Sequence, residues 1–322
     1  MNTMGSQYRG MISGMPAFAD ALAAGPVVLD GGLSTELEAR GHDVSSALWS
    51  ARLLRDDPGE VRETHLAFYR AGARVATTAS YQASVEGFAA QGVAEAAAAR
   101  LIASSVALAR EAAAIAEQED GVRRQVAASI GPYGAVLADG SEYSGDYGVT
   151  DQHLREFHGP RLELLAAAGP DLLAVETVPS EQEATVLLGL LEELSTGIPA
   201  WLSLTCADGS TTRRGEAVAR VFGLAAGIDT VVGVGVNCTA PEHVEALVAA
   251  AVAASGKPAV AYPNSGETWD GEARAWGGEG AGIDPTAARS WVAAGARFVG
   301  GCCRVGSDDI ARLAAGLSAQ PA

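Results

Sequence analysis

Residues 171–194 read DLLAVETVPSEQEATVLLGLLEEL, and this stretch contains one complete strand-to-helix unit. Its first part, 172–175, is apolar throughout, which is typical of a parallel strand that is buried on both faces. A short corner follows, and Ser180 stands where a helix N-cap is expected. From 181 to 195 the pattern is that of an amphipathic helix. The stretch therefore predicts a β-strand, a corner and an α-helix in that order.

The same unit repeats along the chain from about residue 26. Strands are predicted at 27–29, 74–77, 126–130, 172–175, 200–204, 231–236, 259–262 and 297–299. The helices predicted between them include 60–71, 93–118, 152–168, 181–195, 240–254 and 285–294, with Ser180, Thr239 and Asp284 as caps. Eight units favour a closed TIM (β/α)8 barrel, an α/β fold that takes roughly 250 residues before insertions. An open doubly wound sheet is disfavoured, because no Gly-x-Gly-x-x-Gly turn follows the first strand.

The domain organisation follows from this repeat. We expect one barrel domain over residues 21–322, because no linker rich in proline or charge divides the chain. Residues 1–20 begin with a Gly/Ser-rich stretch without periodicity, so they are predicted to form a flexible leader. The longest of the predicted loops, residues 133–150, is a candidate lid.

Composition limits the classes of partner. The chain has 322 residues, 48% of them hydrophobic, and 39 acidic against 22 basic residues give a net charge of −17. Such a chain is repelled by nucleic acid and by anionic membranes. There is no run of roughly 18 apolar residues that would suit a membrane span, no secretory signal, and too few cysteines for a disulfide framework. We expect a cytoplasmic protein with free thiols that acts on small molecules as a monomer or small homo-oligomer.

In a barrel of this type the chemistry lies at the carboxyl ends of the strands. The residues at these ends are Asp30, Ser80-Tyr81-Gln82, Gly131-Pro132-Tyr133, Glu176-Thr177, Thr205-Cys206, Asn237-Cys238, Asn264-Ser265 and Cys302-Cys303. All four cysteines are at this rim and no histidine is, so acid–base catalysis by imidazole is disfavoured. Lys257, the single lysine, precedes its strand and belongs to the opposite end, which argues against a Schiff base.

Three of the rim cysteines are candidates for a metal site. Cys238, Cys302 and Cys303 follow strands six and eight, and converging thiolates favour Zn²⁺. Successive residues of a straight strand point to opposite faces, but Gly300-Gly301 allows the chain to bend before the last two cysteines. Cys206 is interpreted as core packing, because a free cysteine behaves as a small hydrophobic residue. Two alternatives stay open: a closed structural site of all four cysteines, and a phosphate cradle on Gly300-Gly301.

Seven of the strand ends carry recognisable motifs. These are DGG at 30–32, SYQ at 80–82, GPYGA at 131–135, ETVP at 176–179, GVNC at 235–238, YPNSGE at 262–267 and GGCCR at 300–304. Together, from about residue 27 to the end of the chain, they resemble the zinc-dependent homocysteine S-methyltransferases. The resemblance implies a TIM barrel with Cys238, Cys302 and Cys303 as the zinc thiolates. The chain lacks the C-terminal extension of the betaine-using branch, so it resembles the shorter branch that uses S-methylmethionine or S-adenosylmethionine, with betaine as the alternative donor.

The resemblance also implies a reaction, in which zinc-bound homocysteine thiolate attacks the methyl group of the sulfonium donor and gives methionine. Such an in-line displacement requires no proton to move in the transition state, which agrees with the absence of rim histidines. We expect Glu176 to bind the homocysteine ammonium and the N–H groups of Gly31 and Gly32 to face its carboxylate. The other expected substrate contacts are Asp30, Asn237 and Asn264, and the expected donor contacts are Tyr81, Tyr133 and Trp276, because aromatic faces attract cations.

Overall fold

The computed structural model describes residues 22–23, 25–44, 49–137, 140–270, 275–278 and 280–318, and its centre is an eight-stranded parallel barrel. The barrel strands are β1 Val27–Val28, β2 Val75–Thr77, β3 Gln125–Ile130, β4 Leu172–Val178, β5 Ala200–Leu204, β6 Val231–Asn237, β7 Ala259–Tyr262 and β10 Ala296–Val299. They pair in the order β1-β10-β7-β6-β5-β4-β3-β2. A parallel bridge between Leu29 and Val75 joins the two ends of this sheet. The predicted single-domain TIM barrel is confirmed, and the predicted leader, residues 1–20, lies outside the described residues.

Helices connect the strands and cover the outside of the barrel. They are α1 Leu33–Ala39, α2 Leu53–Asp56, α3 Pro58–Arg70, α4 Val85–Ala89, α5 Glu95–Asp120, α6 Tyr133–Leu137, α7 Asp151–Ala167, α8 Glu181–Leu194, α9 Val218–Gly223, α10 Val244–Ser255, α11 Pro285–Ala294 and α12 Ser307–Ser318. Short 3-10 helices occupy Trp49–Arg52, Ser141–Tyr143 and Pro241–His243. All eight predicted strands are present, although β4 continues to Val178, so that Glu176 and Thr177 belong to the strand itself.

Two apolar clusters explain why the strands read as continuous apolar runs. One cluster fills the interior of the barrel and includes Trp201, Val260 and Phe298. The other lies between the strands and the helices and takes the opposite faces of the same strands, for example Leu202 and Val299. Strands that are buried on both faces show no polar alternation. The interior cluster lies beneath the carboxyl ends of the strands. There, Trp201 Nε1 donates a hydrogen bond to the hydroxyl of Tyr262 at 3.0 Å.

Helix caps agree with prediction at two of three positions. Ser180 and Asp284 begin α8 and α11, and each side chain accepts a hydrogen bond from an N–H of the first turn, at 3.3 and 2.8 Å. The predicted cap at Thr239 is wrong. Its hydroxyl donates to the carbonyl of Asn237 and accepts from the N–H of Cys206, both at 3.0 Å. Thr239 therefore ties the end of β5 to the end of β6 and does not cap the helix that follows.

The loops differ at the two ends of the barrel. At the carboxyl ends, the loop after β7 contains an antiparallel hairpin, β8 Thr268–Asp270 and β9 Ala275–Gly277, which the sequence did not predict. At the opposite end, as predicted, Lys257 precedes β7 and its Nζ donates to the carbonyl of Ile228 at 3.0 Å. Within the described ranges, the structure contains no helix that is both long and apolar enough to cross a membrane.

Candidate metal and substrate site

A cavity opens at the carboxyl ends of the barrel strands, with a volume of about 780 Å³ that includes the space at its mouth. Its lining contains these residues predicted from the sequence: Gly31, Gly32, Tyr81, Glu176, Asn237, Cys238, Cys302 and Cys303. Among the described residues, the only charged side chains in the lining are Glu142 and Glu176. A cavity with this lining attracts cations and repels anions.

The three predicted metal ligands meet on one wall of this cavity. Cys238 follows β6, Cys302 and Cys303 follow β10, and the three Sγ atoms lie within 4.8 Å of one another. The Sγ of Cys303 is 3.9 Å from that of Cys238 and 4.0 Å from that of Cys302. Cys206 and Cys303 are free, whereas the barrel brings Cys238 and Cys302 together as a disulfide across 64 residues of sequence. Metal binding at this wall requires both of these sulfurs in the reduced form.

The loop after β10 is packed so closely that only glycine fits before the thiols. A Cβ atom at position 301 would lie 2.5 Å from the Cβ of Val305, and one at position 300 would lie 2.7 Å from the carbonyl oxygen of Asp30. Because β10 ends at Val299, Cys302 and Cys303 lie in a turn and both line the cavity, as the predicted bend requires. The reason differs from the prediction. Gly300 and Gly301 are needed for close approach and have no positive φ.

Left-handed backbone is concentrated at the site. Thr177, Cys238 and Arg304 have φ values of 58°, 46° and 64°, and the one other described non-glycine residue with positive φ is Ser195. Conformations of this kind cost about 1–3 kcal/mol each and persist where the surrounding structure enforces them. The site is thus held in a locally strained arrangement that the rest of the barrel supports.

Asn237 provides part of that support. Its Oδ1 accepts hydrogen bonds from the N–H of Thr177 and the hydroxyl of Ser203, both at 2.7 Å, and its Nδ2 donates to the hydroxyl of Thr177 at 2.7 Å. The Nδ2 also lies 3.9 Å from the Sγ of Cys302, within hydrogen-bond range for sulfur. The amide that was expected to bind substrate is therefore engaged by the protein and links Thr177 to the thiol wall.

Glu176 is a buried carboxylate held by two hydroxyl groups. Its Oε2 accepts from Tyr262 at 2.9 Å, and its Oε1 accepts from Ser129. Burial raises the pKa of the Glu176 carboxyl, and the hydrogen bonds from Ser129 and Tyr262 partly oppose this rise. The Tyr262 hydroxyl is itself held by Trp201 from below. Glu176 is thus fixed in the cavity wall before any substrate binds.

Asp30 lies behind the lining and has a different role from Glu176 in this structure. Its Oδ2 accepts from the N–H of Thr77 at 2.7 Å, and the Thr77 hydroxyl lies 3.1 Å from both carboxylate oxygens. Burial raises the pKa of Asp30 well above its usual range, against the effect of these bonds. The N–H of Gly32 already donates to the carbonyl of Val305 at 2.9 Å. Asp30 therefore joins the ends of β1 and β2. Of the two N–H groups predicted to face the substrate carboxylate, that of Gly32 is already bonded, which leaves the N–H of Gly31.

The thiols differ in their surroundings. Burial raises the pKa of Cys303 to about 12, and the negative charges of Glu142, Glu176 and Glu38 add to this rise. The Cys303 thiol is therefore protonated at neutral pH unless a positive charge stands beside it. Burial also raises the pKa of Cys206 to about 12, but Cys206 packs in the outer apolar cluster and is not one of the three grouped thiols. This agrees with its predicted packing role and gives a closed four-cysteine site no support.

The remaining predicted contacts lie outside the cavity lining, except Tyr81. Asn264 is buried, and its Oδ1 makes no hydrogen bond within the described part of the chain. Tyr133 packs edge-on against Phe157, and its hydroxyl lies 3.0 Å from His153 Nε2. Trp276 stands in β9, and its side chain lies outside the described part of the structure.

Several lining residues were not predicted from the sequence. Ser129 and Tyr262, which hold Glu176, are strand residues, and Thr77 holds Asp30 in the same way. Ser129 carried a usable signal, because a hydroxyl inside an otherwise apolar strand needs a buried partner. Glu142 carried none, since it stands in a loop among other polar residues. It reaches the cavity only because of how that loop folds.

The fold and the site together define a TIM-barrel enzyme with a thiol-rich centre at the carboxyl ends of its strands. The family model for homocysteine S-methyltransferase matches residues 27–317. The chain belongs to this family, whose members are methyltransferases that act on homocysteine.

Individual relatives agree with this assignment. The chain is 45% identical to homocysteine S-methyltransferase 4 of Zea mays over 305 residues, which is 91% of this chain and 89% of that one. It is 46% identical to the homocysteine S-methyltransferase of Escherichia coli over 296 residues, covering 90% of this chain and 94% of that one. The crystal structure of the Escherichia coli homocysteine methyltransferase MmuM in its metallated form superposes with a TM-score of 0.84 at 42% identity, covering 94% of this chain and 99% of that chain.

Proposed function

We propose that this chain transfers a methyl group from a sulfonium compound, S-methylmethionine or S-adenosylmethionine, to the thiol of homocysteine at a Zn²⁺ site formed by Cys238, Cys302 and Cys303. One observation carries the proposal: three thiols meet on the wall of a cavity whose charged lining is acidic. Family membership supports homocysteine as the acceptor. The metal and the donor are the proposed parts.

The cysteines suit the proposed ion in type and number. Zinc sites that keep a position for substrate use three protein ligands, and thiolate is among the ligands that zinc prefers. The Sγ atoms of Cys238, Cys302 and Cys303 lie within 4.8 Å of one another, so reduction of the disulfide leaves three sulfurs on one wall. When bound, zinc supplies the positive charge that keeps sulfur deprotonated at neutral pH.

Glu176 is the proposed partner of the homocysteine ammonium, and the N–H of Gly31 is the proposed donor to its carboxylate. The hydroxyls of Tyr262 and Ser129 hold the Glu176 carboxylate in place, so little conformational freedom remains to be lost on binding. Since Tyr262 is held in turn by Trp201, the packed interior of the barrel sets the position of this contact.

The methyl transfer itself asks little of the protein beyond alignment. The bond between the donor sulfur and the methyl carbon breaks as the bond to the homocysteine sulfur forms, and the electron pair stays on the donor sulfur, which becomes a neutral thioether. S-methylmethionine would yield two molecules of methionine, and S-adenosylmethionine would yield methionine and S-adenosylhomocysteine. The side chains described in the lining include no histidine, lysine or arginine. In the proposed reaction the lining side chains hold the two sulfurs in line and attract a cationic donor.

The proposal is tested by product analysis with reduced protein, isotopically labelled homocysteine and three unlabelled donors: S-methylmethionine, S-adenosylmethionine and betaine. Mass spectrometry should detect labelled methionine from a sulfonium donor, and a chelator should abolish it. Cys238→Ser should lose both zinc and activity. The matched control is Cys206→Ser, which should keep both, because Cys206 lies outside the thiol group. Activity that survives chelation would refute the metal site, and methionine from betaine alone would refute the donor class.

A further inference from the structure

The cavity has a second acidic side chain that the proposed reaction has not yet used. Glu142 lies in the 3-10 helix Ser141–Tyr143 of the long loop after β3, lines the cavity, and is only 5% exposed. Its charge acts on the Cys303 thiol together with that of Glu176. The two carboxylates reach the cavity from different elements, Glu176 from the barrel and Glu142 from the loop above it.

The loop that carries Glu142 is firmly attached to the barrel. A Cβ atom at Gly134 would lie 2.5 Å from the backbone N of Glu142, so α6 and the 3-10 helix pack backbone against backbone. Further on, the hydroxyl of Tyr147 donates to Glu183 Oε2 at 3.1 Å, and the N–H of Tyr133 donates to Glu183 Oε1 at 2.6 Å. Glu183 belongs to α8, so the loop is held at both ends and Glu142 has a defined position.

In the proposed reaction two substrates enter this cavity, and each carries at least one positively charged group. Homocysteine carries one ammonium group, whereas a sulfonium donor carries an ammonium group and a charged sulfur. The two acids are the only charged side chains described in the lining. Glu176 is the proposed partner of the homocysteine ammonium. Glu142 is then the described lining residue that can face the additional positive charge of the donor.

We propose that Glu142 recognises the positive charge of the sulfonium donor and so determines that the enzyme selects sulfonium compounds. This inference rests on the proposed function. The sulfonium charge disappears when the methyl group leaves the donor. The carboxylate therefore binds the donor more strongly than the neutral thioether product, which is then released more easily.

The test measures binding, so that it does not depend on turnover. Isothermal titration of the reduced, zinc-loaded protein with S-methylmethionine should show a Kd about 10- to 100-fold higher for Glu142→Gln than for the wild type, as expected when one charge of a buried ion pair is lost. The Kd for homocysteine should stay within about threefold, on the same scale of differences. Glu142→Asp, which keeps the charge, should recover part of the donor affinity.

The matched control is Glu38→Gln. Glu38 also adds negative charge near Cys303, but its side chain is 49% exposed and does not line the cavity, so donor affinity should be unchanged. If Glu142→Gln does not fold, the inference is tested on the wild type alone. The wild type should bind S-methylmethionine at least about tenfold more tightly than methionine, whose thioether sulfur is uncharged.

The outcomes separate this inference from the proposed function. Equal affinity of the wild type for S-methylmethionine and methionine, or an unchanged donor Kd in Glu142→Gln, would overturn the inference while methionine formation continues. An equal loss in Glu38→Gln would also overturn it, because general electrostatics would then be the cause. A wild type that neither binds nor uses any sulfonium donor would overturn both.

Discussion

Gly301→Ala tests whether close packing of the loop after β10 is what places the thiols. The added methyl group would lie 2.5 Å from the Cβ of Val305, 2.9 Å from its Cγ2 and closer still to its Cγ1. Val305 is fully buried, so its side chain has no open space to enter. Carbon atoms in good contact are about 3.5–4.0 Å apart, so the two residues must separate by roughly 1 Å.

That displacement acts directly on the neighbouring ligand, Cys302. Zinc sites tolerate deviations of about 0.2 Å in ligand distance, so a shift of roughly 1 Å is several times too large. We therefore expect Gly301→Ala to lose most of its zinc and, with it, most of its methyl-transfer activity. Overpacking of this kind costs about 1–3 kcal/mol of folding free energy, which should lower the Tm by a few degrees.

Zinc content is measured by elemental analysis after gel filtration in reducing buffer, and Tm by circular dichroism. Gly306→Ala is the matched control, because in the same loop its Cβ would meet nothing nearer than Glu36 Oε2 at 3.5 Å. This variant should match the wild type in zinc content and Tm. Full zinc occupancy and activity in Gly301→Ala would show that close packing against Val305 does not place the thiols. Equal zinc loss in Gly301→Ala and Gly306→Ala would also refute this explanation.

Three buried groups give further predictions. Glu176→Gln should raise the KM for homocysteine about 10- to 100-fold while zinc is retained, because a charged hydrogen-bond partner is lost; an unchanged KM would contradict the assignment. Tyr262→Phe removes one of the two hydroxyl donors to Glu176 and should raise the same KM by a smaller factor, about 3- to 10-fold, in steady-state assays. Burial lowers the pKa of His65 to about 4 from its ordinary 6.5, so the unfolded chain binds the extra proton and stability falls as the pH drops from about 6.5 to about 4. The loss is about 3 kcal/mol, and urea titrations of His65→Phe should show a shallower decline over that range than the wild type, whereas parallel curves would exclude His65 as the cause.

The barrel could be predicted from the sequence because each strand is marked by a pattern within a few consecutive residues. Runs such as 126–130 and 172–175 are apolar in every position, and that pattern reports burial on both faces without reference to any distant residue. Parallel pairing then brings all carboxyl ends to one side, which is why Cys238, Cys302 and Cys303 were expected to meet and do so. The hairpin β8–β9 was missed because it has no such continuous apolar run.

The sequence by itself therefore determined the class of fold, the end of the barrel that carries the chemistry, and the residue types that meet there. Only the tertiary structure decided how those residues are held. Tyr262 reaches Glu176 across 86 positions of sequence and Asn237 reaches Thr177 across 60. The tertiary structure also decided that Glu142 lines the cavity and that Asp30 accepts a hydrogen bond from Thr77. It further decided that position 301 needs glycine, because Val305 packs against it. The physical reason is that hydrophobic periodicity is set by neighbours along the chain, whereas polar partners are set by strand register and barrel closure, which bring distant residues together.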